Sequence, residues 1–352
     1  SAGLATLGMA NWMASRDSSP PVPPASTDAI ELPKMPNRPS PRTIRAGVEM
    51  SKVRLIVPSG QPGHQGTLYV YTPAGNHRPK SLSCVLIAPA GTNLLSGMEL
   101  GSGDQPEHIP YVQAGIAVVA YEVDGLYPSR DPTIVQARRA LKQYVAADAG
   151  MINARNALEF ILARMPEVDP ERIYAAGHSS AATLALLFAQ REKRLGGCIA
   201  FAPALRLKEW FGANLPAIEQ ELPGATEVVG RYTPDASAWP AETPLLLFHA
   251  EDDSNVPVED SKGFAAKLRA SGRQVTLVTV PRGDHYDSMV DEGIPRAIAW
   301  IQSRQPEAPS PGPAPPDKRP KPEEIASTDR PPKTPDPKPV VPPAKPTVDP
   351  VR

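Results

Sequence analysis

Between about Arg42 and Arg304, eight short apolar runs alternate with stretches of helical periodicity. Val53–Val57 and Thr67–Tyr71 flank a Pro/Gly turn from Pro58 to Gly63, which predicts an antiparallel opening hairpin. Cys84–Ala88 and Ile116–Tyr121 are nearly continuous in apolar residues, as strands covered on both faces are. Arg172–Ala176, Cys198–Phe201, Leu245–His249 and Val275–Val280 complete the set. Leu158, Ile161, Leu162 and Met165 share one helical face before Arg172–Ala176, and Ala182–Gln190 reads as a helix just after it. Phe264 and Leu268 lie one turn apart in the helix before Val275–Val280. Ile294, Ile298 and Ile301 line a last helix whose Pro295 must sit in the first turn or form a kink. Strands alternating with helices predict an α/β domain over residues 43–304, with a mostly parallel eight-stranded sheet and helices on both faces.

The ends of the chain differ from this middle. The 352 residues include 45 prolines, where ordinary usage gives about 18. Proline at that density is excluded from helix interiors and central strands, so part of the chain is non-globular. Residues 17–42 and the tail from 305 to 352 alternate proline with charge, and both read as extended, disordered segments. The first residues, SAGLATLGMANWMA, are mildly apolar up to a polar break at Ser15–Asp17 and carry Trp12 just before it. That pattern fits the end of a signal or membrane-anchoring segment, though it is too short to span a bilayer by itself. It makes a membrane tether a candidate. The compartment stays open, with an anchored or exported form weighed slightly below a cytoplasmic one.

A net charge of −1 gives no global field for nucleic acid or an anionic membrane. Aromatic residues are scarce, which argues against platforms for stacking single-stranded bases. Cys84 and Cys198 each sit in an apolar run and read as small buried side chains. No Cys/His metal spacing and no phosphate-cradling glycine loop occurs, so neither metal nor cofactor is expected.

The segment 169–189, DPERIYAAGHSSAATLALLFA, carries the chemistry. A strand runs into Gly177–His178–Ser179–Ser180–Ala181 and a helix follows at once, the context in which G-x-S-x-G forms a nucleophile elbow. The tight turn exposes the serine hydroxyl above the strand ends, and the helix N-terminus favours developing negative charge. Alanine replaces the final glycine of the pattern. A second segment, PLLLFHAEDDSNVP, is a buried strand followed by an acidic loop in which Asp252 and Asp253 are candidates to orient a histidine. A third, VPRGDH, closes the last strand and places His285 in a Gly-containing loop. His178 lies inside the elbow and is expected to point elsewhere. His249, at the end of a buried strand, reads as structural, and no motif nominates His64, His77 or His108. Ser179, Asp253 and His285 thus occur in the order nucleophile, acid, base, each at the end of its own strand. The oxyanion donors are expected to be the backbone of Ser180 and of Gly91, with Thr92 one residue away as the alternative.

These three segments resemble the α/β-hydrolase superfamily, and in particular the prolyl oligopeptidase (S9) catalytic domain and dienelactone hydrolase-like esterases. The resemblance covers roughly 43–304 and is strongest in VDPERIYAAGHSSAA and in PLLLFHAEDDSNVPVEDSKGFAAKLRASGRQVTLVTVPRGDH. Its register selects Asp253 over Asp252 as the acid. The chain departs from it at Ala181 and Ala182, where Gly-Gly is usual, and dienelactone hydrolases use cysteine where Ser179 stands. The resemblance implies a serine hydrolase without a cofactor, acting on a small-molecule ester or a short peptide. The proline-rich stretch before the core offers no β-propeller of the kind that gates oligopeptidases, which favours esters. Residues 204–243 form a small cap insertion and a candidate lid, where Trp210, Phe211 and Trp239 either line an acyl pocket or pack the cap onto the core. The substrate-binding residues remain unassigned.

Overall fold

In the computed structural model the described residues are 30–127 and 132–305. Nine strands form one sheet: β1 (Arg42–Arg45), β2 (Val48–Arg54), β3 (Thr67–Pro73), β4 (Leu82–Ile87), β5 (Ala117–Tyr121), β6 (Val168–His178), β7 (Gly197–Phe201), β8 (Leu245–Ala250) and β9 (Val275–Val280). Their order is β1-β2-β3-β5-β4-β6-β7-β8-β9. The first strands pair antiparallel, up to the β3–β5 contact, and every later pair is parallel. The expected count of eight is therefore one short. The added strand, β1, reads RTIR and lies at the sheet edge, where a polar, exposed sequence is tolerated because only one side is paired. The opening hairpin forms as expected, but β2 ends at Arg54, and the exposed Ile56 leaves the ladder to bridge Lys34.

Helices cover both faces. α2 (Ile134–Ala146), α3 (Met151–Arg164), α4 (Ser180–Arg191) and α8 (Val258–Ala270) pack on one side, and α1 (Gln105–Gln113) and α9 (Ile294–Gln302) on the other. The pleat sorts the core between them: Cys84 and Leu86 of β4 face the first group, Val85 and Ile87 the second. Both cysteines are free and buried. In α3, Leu158 and Ile161 face the core while Leu162 is exposed, so the apolar stripe is narrower than the spacing suggested. Pro295 occupies the first turn of α9, directly after a π turn at Met289–Gly293.

Between β7 and β8 the chain builds the cap from α5 (Leu207–Phe211), α6 (Leu215–Glu221) and α7 (Ala225–Arg231). Phe211 and Trp239 are buried in the core beneath it, while Trp210 is exposed. The Trp239 indole N–H donates to the Thr243 carbonyl at 2.8 Å. Tyr232, following α7, donates its hydroxyl to buried Asp148 at 3.0 Å, and Asp148 also pairs with Arg191 of α4 at 2.7 Å. These aromatics therefore fasten the cap to the sheet layer.

Residues 30–41 run against this body although the sequence reads as disordered there. Ile30 is buried, Arg38 pairs with Glu167 at 2.6 Å, and Arg164 donates to the Met35 carbonyl at 2.7 Å. The apolar N-terminal stretch and the proline-rich tail beyond residue 305 lie outside the described residues. Among the described residues no helix is long and apolar enough to cross a membrane.

Candidate active site

Three loops at the carboxyl ends of β6, β8 and β9 carry Ser179, Asp253 and His285. Parallel packing puts these loops side by side at one end of the sheet. Ser179 separates β6 from α4 with φ 54° and ψ −120°, a conformation that costs an L-residue roughly 1–3 kcal/mol. The strain is held by what surrounds it. Ser179 N–H continues the sheet ladder to the Phe201 carbonyl at 2.9 Å, while Ala182 N–H and Thr183 N–H already bond to the Ser179 carbonyl at 3.0 and 3.1 Å. The turn also needs Gly177, because a Cβ there would lie 2.3 Å from the Ala181 backbone. The close approach is thus relieved on the strand side, which explains how alanine is accommodated at 181.

The acid and the histidine meet. Asp253 Oδ2 lies 2.8 Å from His285 Nδ1, with the carboxylate 1 % exposed. Asp253 Oδ1 accepts the amides of Asn255 and Val256 at 2.9 and 2.8 Å. Burial alone would raise this carboxyl, but hydrogen bonds from His249, His285 and Val256 outweigh it and hold Asp253 well below the usual carboxylate range. With Nδ1–H given to Asp253, Nε2 of a neutral His285 is the basic nitrogen. No hydrogen bond joins Ser179 Oγ to His285 in this structure. Such contacts commonly tighten only when substrate is bound.

Asp252, the rejected neighbour, has its own task. It accepts Asp284 N–H at 2.9 Å and Gly283 N–H at 3.3 Å, while Asp284 accepts Ser254 N–H at 2.7 Å and the Ser254 hydroxyl at 3.1 Å. The acid loop and the histidine loop therefore clasp each other from both sides.

One histidine stands differently from its sequence reading, and another has a neighbour that reading did not name. His178 does not point away. Its ring centroid lies 4.5 Å from that of His285, and its Nε2–H donates to the His285 carbonyl at 2.8 Å. Burial first, and then the neighbouring His285, hold it neutral, with a pKa of about 4. His249, read as structural, places Nε2 3.1 Å from Asp253 Oδ2. Strand periodicity gives each a place but no partner: His178 meets His285 across two loops, and His249 meets Asp253 four residues along its own loop.

The nominated oxyanion donors also behave unexpectedly. Gly91 N–H and Thr92 N–H both donate to the Ser180 hydroxyl at 3.1 Å. Ser180 N–H, in the first position of α4, has no intrahelical acceptor. Beside Ser180, Thr92 and Ala181 the enclosed space is about 10 Å³, room for one water at most. A larger hollow of about 400 Å³, bordered by Pro170, Glu171 and Gly196, opens at the amino ends of β6 and β7, away from these loops. Among the described residues no His/Cys/Asp/Glu group is arranged to hold a metal ion.

The sheet, its strand-end loops and the strained serine elbow define an α/β-hydrolase fold. Residues 135–303 match the profile of the prolyl oligopeptidase family. No curated protein sequence matches the chain. Solved structures do. An acetyl xylan esterase from Paenibacillus sp. R4 is 19 % identical with a TM-score of 0.52, over 78 % of this chain and 90 % of that one. Acetyl xylan esterase 1 from Thermoanaerobacterium sp. JW/SL YS485 is 15 % identical with a TM-score of 0.56, over 79 % and 90 %. A puromycin-hydrolyzing peptidase of Mycobacterium tuberculosis is 15 % identical with a TM-score of 0.53, over 74 % of this chain but 40 % of its own. At these identities the structural likeness is one of fold. The family match covers a little under half of the chain, and both findings are consistent with an α/β-hydrolase domain similar to that of prolyl oligopeptidases.

Proposed function

We propose that the protein cleaves carboxylic esters through an acyl-enzyme on Ser179. The observation that carries this reading is the buried Asp253–His285 pair at 2.8 Å in loops adjoining the strained Ser179 elbow. His285 takes the Ser179 proton as the hydroxyl attacks the ester carbonyl, and then delivers it to the leaving alcohol. Asp253 fixes the ring and stabilises its cationic form. Water, activated by the same histidine, releases the acid and restores Ser179. Ser180 N–H is one oxyanion donor, and Gly91 N–H becomes the second once the Ser180 hydroxyl rotates off it.

An ester is favoured over a peptide because the likeness to an acetyl xylan esterase extends over 90 % of that chain, against 40 % for the peptidase. The match of residues 135–303 to the prolyl oligopeptidase family supports a second reading, cleavage of short peptides. Turnover of p-nitrophenyl acetate beside aminoacyl-nitroanilides separates the two. A fluorophosphonate probe tests the nucleophile: labelling is expected in the native chain and lost in Ser179→Ala. No labelling, or labelling that survives the substitution, overturns the assignment and leaves a non-catalytic module of the same fold.

A further inference from the structure

His249 is the penultimate residue of β8, with a fully buried side chain. Its Nε2 faces two acceptors, Asp253 Oδ2 at 3.1 Å and the Val256 carbonyl at 3.0 Å, so Nε2 carries a proton and donates. Its Nδ1 lies 2.8 Å from the Ser261 hydroxyl of α8, which donates to it when the ring is neutral. Asp253 therefore receives three full N–H hydrogen bonds and part of a fourth, since the single Nε2–H of His249 is shared with the Val256 carbonyl. The amides of Asn255 and Val256 hold Oδ1, and His285 and His249 share Oδ2.

We infer that His249 is a positioning residue that pins the orienting carboxylate, so that Ser261, His249, Asp253 and His285 form one hydrogen-bonded line leading from α8 to the reacting histidine. This rests on the proposed roles of Ser179, Asp253 and His285. The two oxygens of Asp253 need different anchors. Oδ1 is held by its own loop, whereas Oδ2 serves a ring that must swing between the nucleophile and the leaving group. Held by His285 alone, Oδ2 would turn with that ring. His249 stands near the end of a central strand and is braced from behind by Ser261, so its N–H stays put while His285 moves. An imidazole is an expensive occupant for a fully buried strand end, since both ring nitrogens must find partners there. A leucine would fill the space without that demand.

The alternative is that His249 merely packs and holds the Val256 carbonyl. A double-mutant cycle distinguishes the two, with kcat and KM measured on p-nitrophenyl acetate and melting curves recorded for each variant. His249→Leu removes the donor. It is expected to lower kcat about 10–100-fold, by analogy with the loss of partners that orient metal-ligating histidines, with KM nearly unchanged. His249→Gln, which keeps an N–H near the Nε2 position, is expected to recover most of the loss. In an Asp253→Asn background His249→Leu is expected to cost less than about threefold more, because the group it acts through is already disabled. The proposal is overturned if His249→Leu leaves kcat intact, or if it costs the same factor with and without Asp253. If Asp253→Asn itself keeps native turnover, the underlying assignment of the acid has failed and this inference falls with it. Should His249→Leu not fold, His249→Asn takes its place, since its amide stops short of Asp253.

Discussion

At the scale of single residues, the proposed roles divide side chains that act from side chains that hold. Asp253→Asn is expected to reduce kcat by about 10⁴, as loss of the orienting carboxylate does in a Ser-His-Asp site. Asp252→Asn keeps one acceptor oxygen for the Gly283 and Asp284 amides and is expected to cost no more than about tenfold. Steady-state kinetics on both variants checks the register, and the reverse ranking would exchange the two roles. Ser180→Ala removes the hydroxyl that now occupies the Gly91 and Thr92 amides. If those amides are the oxyanion donors, turnover should hold within about tenfold or rise, because losing a true donor costs about 10²–10³. A drop of that larger size would make the Ser180 side chain itself the donor.

At the scale of elements, the elbow and the cap depend on a few contacts. Gly177→Ala drives a methyl into the α4 backbone at 2.3 Å, and the expected cost exceeds about 4 kcal/mol in urea unfolding or the variant fails to fold. A near-native midpoint would show that the strand can shift away from the helix. Tyr232→Phe removes one hydrogen bond from buried Asp148, and should lower the unfolding free energy by about 1–3 kcal/mol while leaving the elbow intact. The strands were readable because each central one is a short apolar run buried on both faces. The elements that escaped notice have physical reasons to do so. α1 carries Pro106 and Pro110 within nine residues, which disguises a helix whose Ile109, Tyr111 and Val112 are buried. β1 is a polar edge strand with no apolar signal. For the candidate site, the placement of Ser179, Asp253 and His285 was legible because each follows its own strand. The contact of His178 arises only when the loops after β6 and β9 close on one another, and those of His249 lie within its own loop and α8, where strand spacing marks burial but names no partner.

At the scale of the whole molecule, buried ionisable groups set how stability answers to pH. Burial, helped by Asp104, pushes the Glu107 carboxyl up to about 7. Its folded value lies above its unfolded one, so its stabilising contribution is complete below the ordinary carboxylate range and is lost as pH rises through about 7. Glu107→Gln is therefore expected to be more stable than the native chain at pH 8, by on the order of 3 kcal/mol, and to lose that advantage by pH 5. Melting temperatures across that range test it, and parallel curves would refute it. His108 and His178 act with the opposite sign. Burial holds them neutral, with values of about 3 and about 4, so their contribution is present above about 6.5 and fades as pH falls toward those values.

The two-way clasp between Asp252 and the 283–284 amides, and between Asp284 and Ser254, has a bearing on how such a chain can change over time. It ties together the loops after β8 and β9, so that inserting a residue in either one dislocates both. The cap enters the chain elsewhere, between β7 and β8, and shares none of those bonds. Residues 204–243 can therefore change without disturbing that clasp, whereas the loops after β8 and β9 behave as a single part that is kept or lost whole.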